Sequence, residues 1–118
     1  MSAMEHLTHQ TCVPCRGDEP PFTRTQIEDM HPQVPDWNVL EVKDVPRLQR
    51  EFKFKNFAEA LTFTQQVGET AEEQGHHPVI LTEWGKVTVT WWTHKIKGLH
   101  QNDFIMAAKT DKLYANLG

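Results

Sequence analysis

The chain contains a single serine, Ser2 at its very start, so a serine nucleophile is all but excluded. It has two cysteines, Cys12 and Cys15, too few for a disulfide framework. A Cys-x-x-Cys pair supplies half of a structural zinc site, but no second pair completes it, and only histidines remain as further ligands. The simpler reading is a loose N-terminal arm whose thiols stay reduced. No apolar run approaches the roughly 18 residues of a membrane span, and Met1 to Gln10 lacks the apolar core of an export signal. A soluble, cytoplasmic chain is expected. Positive charge is in deficit, with 12 Lys+Arg against 16 Asp+Glu and a formal net charge of −4. That balance argues against bulk nucleic-acid binding. Neither a Gly-x-Gly-x-x-Gly fingerprint nor a phosphate-binding loop is present.

What remains is 118 residues, 38% hydrophobic, with 6 Phe and 4 Trp. That fills one small core, and domains of this size often bury more surface by oligomerising. Residues 1–22 show no periodicity and read as a tail or wrapping arm; residues 23–118 read as the domain. Thr23 caps a short helix, Arg24 to Met30, with Gln26 placed as in a capping box, and His31-Pro32 stops it. Trp37 to Val42 reads as a strand, Lys43 to Pro46 as a turn, and Arg47 to Lys55 as a second strand. Leu48, Phe52 and Phe54 share a face of that strand, which Arg50 interrupts.

Asn56 caps the next helix, with Glu59 placed to reach back to it. Phe57, Ala60, Leu61, Thr64, Val67 and Ala71 recur at helical spacing, and Gly75 is a left-handed stop. Val79 to Glu83 and Lys86 to Thr93 form a hairpin around Trp84-Gly85. A last helix runs from about Gln101 to Tyr114. Its segment Phe104 to Ala108 is apolar almost all round, which suggests a subunit interface. Two strand-strand-helix units after a first helix predict an α+β fold: a four-stranded antiparallel sheet with helices on one face.

Three histidines concentrate the chemistry. His76-His77-Pro78 lies between a helix stop and a strand start, and the helix before it ends in Glu72-Glu73, against the macrodipole. Carboxylates there would raise an imidazole's pKa or fix its tautomer. If Trp84 and Gly85 are the two turn residues, Glu83 faces Lys86. The same register puts His77 opposite Trp92, His76 opposite Thr93 and Gly75 opposite His94. Neighbouring strands lie roughly 4.8 Å apart, so the three imidazoles are expected within about one side-chain length of each other. Thr88, Thr90, Trp92 and His94 share a face suited to a flat polar ring. Three readings stand. The histidines are ordinary polar residues at a strand end; or they bind a metal, although neighbours in an extended chain point apart; or two serve as acid and base while the third binds substrate. His6, His9, His31 and His100 read as solvent residues, and Lys95 and Lys97 as a solvated face or an anion contact.

Ala71-Glu72-x-x-x-His76-His77-Pro78, Trp84-x-x-Val87, Thr93-His94, Gly98-Leu99 and Asp103 resemble the pterin-4a-carbinolamine dehydratases, the bacterial branch in particular. Trp37, Phe52-x-Phe54, Phe57, Ala60 and Phe63 fit the same pattern, over about residues 23–115. The resemblance implies dehydration of 4a-hydroxytetrahydrobiopterin, or a related tetrahydropterin, to quinonoid dihydropterin. An aromatic amino acid hydroxylase would be its functional partner. It implies no metal or organic cofactor, and a homodimer or homotetramer assembled through helices. It makes His76 and His94 the acid–base pair and His77 mainly a pterin ligand. It further implies that Glu72 and Asp103 orient a histidine or the substrate, and that Gly75, Trp92, Thr93 and Lys95 contact the ring. Some animal members also act as dimerisation partners of a transcription factor, which leaves a protein-interaction role as the alternative function. Family members often have Ser or Thr where this chain has His100, a poorer cap, so the last helix is expected to shift its cap, for example to Asn102.

Overall fold

Local signals set most of the element boundaries in the computed structural model, which describes residues 7–13 and 19–117. The Thr23 hydroxyl accepts from the Gln26 amide while the Gln26 side chain accepts from the Thr23 N–H, and this capping box starts α1, Arg24–Met30. A 3₁₀ turn, His31–Gln33, follows. β1 (Asn38–Val42) and β2 (Val45–Lys53) form a hairpin with Val42 paired to Val45. The turn is therefore two residues, Lys43 and Asp44, not four. Both have positive φ, 52° and 66°, the type I′ geometry that matches strand twist. Pro46 sits inside β2, beyond the last β4 partner of that strand, so its missing N–H costs no ladder bond on that side. Trp37 precedes β1 and is buried.

Asn56 caps α2, Phe57–Gln74, by accepting from the Glu59 N–H. The Glu59 carboxylate reaches back one residue further than expected, to the Lys55 N–H. Gly75 closes the helix at φ 65°. The buried stripe of α2 is Ala60, Phe63, Val67 and Ala71. Phe57 and Leu61, expected on that stripe, are about half exposed. The stripe turns to seat Phe63 against Phe52 and Phe54, with ring centroids 4.8 and 5.2 Å away.

β3 (Val79–Glu83) and β4 (Lys86–Trp91) pair in the expected register, Glu83 with Lys86 and Val79 with Thr90. The sheet is antiparallel in the order β1-β2-β4-β3. Leu48, Phe52, Val87, Val89 and Trp91 are fully covered on the helix side. The fold is thus the expected α+β sandwich of one sheet and one helical layer.

α3, Gln101–Leu117, starts where the sequence places it. His100 stands before it, its N–H donating to the Asp103 carboxylate, the reach-back half of a capping box. The cap does not move to Asn102, whose side chain is used elsewhere: it accepts from the Val13 N–H and donates to the Val13 carbonyl. That bond pair anchors the arm. Leu7 is 1% exposed within the core, Lys109 donates to the Thr8 carbonyl, and Phe22 stacks on Phe104.

Phe104 to Ala108 is therefore buried within one chain, and its all-round apolarity carries no sign of a subunit interface. The described part of the arm is packed rather than loose. Cys12 is half-buried, its N–H donating to Gln74, and burial pushes its thiol up to about 11. Cys15 and His6 lie outside the described residues. His31 and His100 are not free solvent residues either. The first contacts the Trp37 carbonyl at 2.5 Å and the second lies beside Phe22.

Candidate active site

The β3–β4 ladder ends at Val79 and Thr90, so the cross-strand pairs expected for His76, His77 and Gly75 do not form. Thr93 instead bridges to Gly98. This closes a short loop that contains the 3₁₀ turn His94–Ile96. His94 is thus a loop residue rather than the end of a strand. Lys97 takes a positive φ of 52° to turn the loop back. A Cβ on Gly98 would meet the Cβ of Pro21 at 2.7 Å, so only glycine lets the arm cross here.

His76 leaves α2 directly after the Gly75 stop and drops onto the helix-covered side. Its ring lies parallel to Trp91, 5.6 Å between centroids. Its Nε2 is 2.6 Å from Oδ1 of Asp103, in the first turn of α3. Asp103 is fully buried, and its other oxygen accepts from the Thr93 hydroxyl at 2.8 Å and the His100 N–H at 3.0 Å. One carboxylate thus holds three separate segments. Because a carboxylate accepts, the proton of this contact sits on Nε2 of His76, which leaves Nδ1 as the basic ring atom.

His77 turns the other way, toward solvent, with Nε2 2.5 Å from Oε1 of Glu72. Glu72 and His77 lie on either side of the Gly75 stop, which explains an acidic residue where the macrodipole disfavours one.

His94 lies on the open face of the sheet, its ring stacked on Trp92 at 4.3 Å. The indole is also covered by the Arg47 guanidinium, 3.9 Å from the ring. His76 and His94 thus stack on adjacent tryptophans, Trp91 and Trp92, of one chain segment. Lys95 is exposed beside His94. Thr93, expected to meet substrate, is buried with its hydroxyl donated to Asp103. Neither the Arg47 contact with Trp92 nor the seat of His76 against Trp91 is expected from the sequence. Continuing the β2–β4 register one pair past Leu48–Trp91 places Arg47 beside Trp92, a signal that was available. A hollow of about 720 Å³ lies at the far end of α2, lined by Phe54, Ala58, Thr62 and Tyr114 among others, and none of the three histidines borders it.

Residues 20–113 match the family model described as pterin 4 alpha carbinolamine dehydratase. A Nitrosococcus oceani protein is 63% identical over 93% of this chain and 97% of its own length, and bears pterin-4-alpha-carbinolamine dehydratase as a provisional name. A Gloeobacter violaceus protein with the same provisional name is 53% identical over 96% of this chain and 97% of its own. The crystal structure of a transcriptional coactivator/pterin dehydratase from Brucella melitensis superposes with a TM-score of 0.71 at 29% identity, over 79% of this chain and 97% of that one. A pterin dehydratase-like RuBisCO assembly factor of the alpha-carboxysome, at 24% identity and a TM-score of 0.57 over 67% of this chain and 89% of its own, shares the fold. With a family match across most of its length and relatives above half identity, this chain belongs to the pterin 4 alpha carbinolamine dehydratase family.

Proposed function

We propose that the chain dehydrates a 4a-hydroxytetrahydropterin to quinonoid dihydropterin and water, returning the cofactor of an aromatic amino acid hydroxylase to its cycle. Family membership supports pterin dehydratase chemistry in general. The observation that carries the residue-level reading is the pairing of both adjacent histidines with carboxylates, at 2.6 and 2.5 Å, at the end of the sheet where His94 also lies.

The reaction breaks the C4a–O bond and the N5–H bond. An acid gives a proton to the departing hydroxyl, the N5 lone pair forms the C4a=N5 bond, and a base takes the N5 proton. One proton is given and one received, with no external electron acceptor. Two histidines of opposite protonation suffice. In this reading His76, with Nε2 tied to Asp103, and His94, stacked on Trp92, are that pair. His77 binds the pterin, Glu72 and Asp103 orient their histidines, and Gly75, Trp92, Thr93 and Lys95 shape the surroundings of the ring.

The test is a coupled dehydration assay. Phenylalanine hydroxylase generates the carbinolamine, and quinonoid dihydropterin is followed by ultraviolet absorbance with and without the purified protein. A large acceleration is expected; a folded protein that gives none would overturn the assignment. In the same assay His77→Ala is expected to raise KM several-fold while kcat changes little, because a ligand contact equal in ground and transition state acts on KM. A loss confined to kcat would contradict the binding role of His77.

A second reading, a protein-interaction role on the same fold, is favoured by Phe57 and Leu61, 44% and 51% exposed on the outer side of α2, and by the name transcriptional coactivator/pterin dehydratase borne by the Brucella relative. Complementation with a His76/His94 double variant separates the two, since rescue by an inactive enzyme marks an interaction phenotype.

A further inference from the structure

Arg47 has no role in the reading above, yet its setting is unusual. It projects from β2 onto the open face of the sheet, half-buried, with its guanidinium carbon 3.9 Å from the Trp92 ring. Among the described residues it has neither a carboxylate partner nor a hydrogen-bond acceptor, although the chain carries an excess of acidic groups. Its Nε is buried with no partner, which costs free energy that stacking on the indole offsets in part. Among the described residues no acceptor reaches its two terminal nitrogens either. A fork of unused donors thus lies over Trp92, and the same indole carries His94 at 4.3 Å. Adding the two separations puts the guanidinium carbon within about 8 Å of the His94 ring.

That reach has a chemical meaning if His94 works on the C4a–N5 bond. C6 of a pterin is bonded directly to N5, so a C6 substituent starts one bond from the reacting atoms and extends away from them. A chain of two or three carbons can span the distance from an N5 beside His94 to a guanidinium no more than about 8 Å from that ring. Arginine fits this task better than lysine, since its planar fork stacks and still presents parallel donors.

We propose that Arg47, held by Trp92, is the specificity-determining residue for the C6 side chain of the substrate, and that it selects tetrahydropterins whose C6 substituent bears oxygen acceptors, hydroxyl or anionic. The proposal rests on the dehydratase reading and deepens it by naming the substrate class.

The test compares two carbinolamines in the dehydration assay, one from tetrahydrobiopterin, with two side-chain hydroxyls, and one from 6-methyltetrahydropterin, with none. Arg47→Met keeps a stem over the indole and removes every donor. It is expected to lower kcat/KM for the dihydroxypropyl substrate roughly tenfold, through KM, and to leave the methyl substrate unchanged. Arg47→Lys keeps the charge without the fork and should fall between. It also serves should the methionine variant unfold, thermal unfolding being recorded for both. Equal losses on both substrates would overturn the proposal and make Arg47 a residue that positions His94; no loss on either would overturn it outright. A wild type inactive on both carbinolamines would bring down the dehydratase reading and this proposal with it. A wild type active on both with an indifferent Arg47 brings down the proposal alone.

Discussion

His76→Ala and His94→Ala are each expected to lower turnover by roughly 10²-fold or more while the protein stays folded. For His76 the reason is the dyad with Asp103. A buried carboxylate that accepts from Nε2 fixes the tautomer and keeps Nδ1 available for proton transfer. Removing the imidazole leaves Asp103 two of its three donors, the Thr93 hydroxyl and the His100 N–H, so the start of α3 and the loop after β4 keep their anchor. For His94 the side chain is an exposed ring on Trp92, and its loss removes little packing. The double variant should be barely worse than the poorer single one, because groups acting in one proton-transfer step are not additive. Single-turnover rates across pH check this. Wild-type rates in both single variants would strip the two histidines of their proposed roles.

What the sequence shows most clearly is what neighbouring residues decide among themselves. The capping box at Thr23, the Asn56 cap, the Gly75 stop and the Glu83–Lys86 register each depend on residues within a few positions. The histidine cluster is legible for a similar reason, since Glu72, His76 and His77 surround one helix stop. Long-range partners are not legible. Leu7, Thr8 and Val13 sit in a stretch without periodicity, so nothing local announces that this segment packs into the core and bonds to Asn102 and Lys109 of α3, and an all-round apolar helix looks like an interface until that cover is seen. Extrapolating register past a strand end fails at His94 because Thr93 finds Gly98 as a closer partner. The rotation of the α2 stripe is set by Phe63 meeting aromatic rings from β2, a preference stronger than the periodicity of Phe57 and Leu61.

Arg50 is a similar case, and it leads to the largest expected effect on stability. It breaks the apolar face of β2 in sequence, and the structure supplies its partner 61 residues away. Its Nη1 donates to Asp111 Oδ1 at 2.6 Å, and the same oxygen accepts from the Trp37 indole at 2.8 Å. Asp111 is 6% exposed. Burial pushes its carboxyl up from the ordinary value, the Trp37 and Arg50 donors pull it down, and the balance stays upward. Asp111→Ala leaves a guanidinium largely buried with only the exposed Asp36 at 3.7 Å, and orphans the indole N–H. Breaking a buried pair in this way costs about 3–5 kcal/mol, which thermal unfolding should register as a fall in Tm of roughly 10–20 °C. Replacing both partners with apolar residues, Arg50→Met with Asp111→Leu, should recover most of that loss, because neither charge is then stranded. A double variant as unstable as Asp111→Ala would mean that the pair itself, rather than its breaking, supports the fold. The pH dependence has a definite sign. A carboxyl whose folded pKa is raised favours the folded state below its unfolded pKa, about 3.9, and loses that contribution as pH rises through the folded value. Relative to Asp111→Asn, whose side chain does not titrate, the wild type should lose stability as pH climbs from about 4. A gain over that range would show that the Arg50 guanidinium, not burial, governs the Asp111 carboxyl.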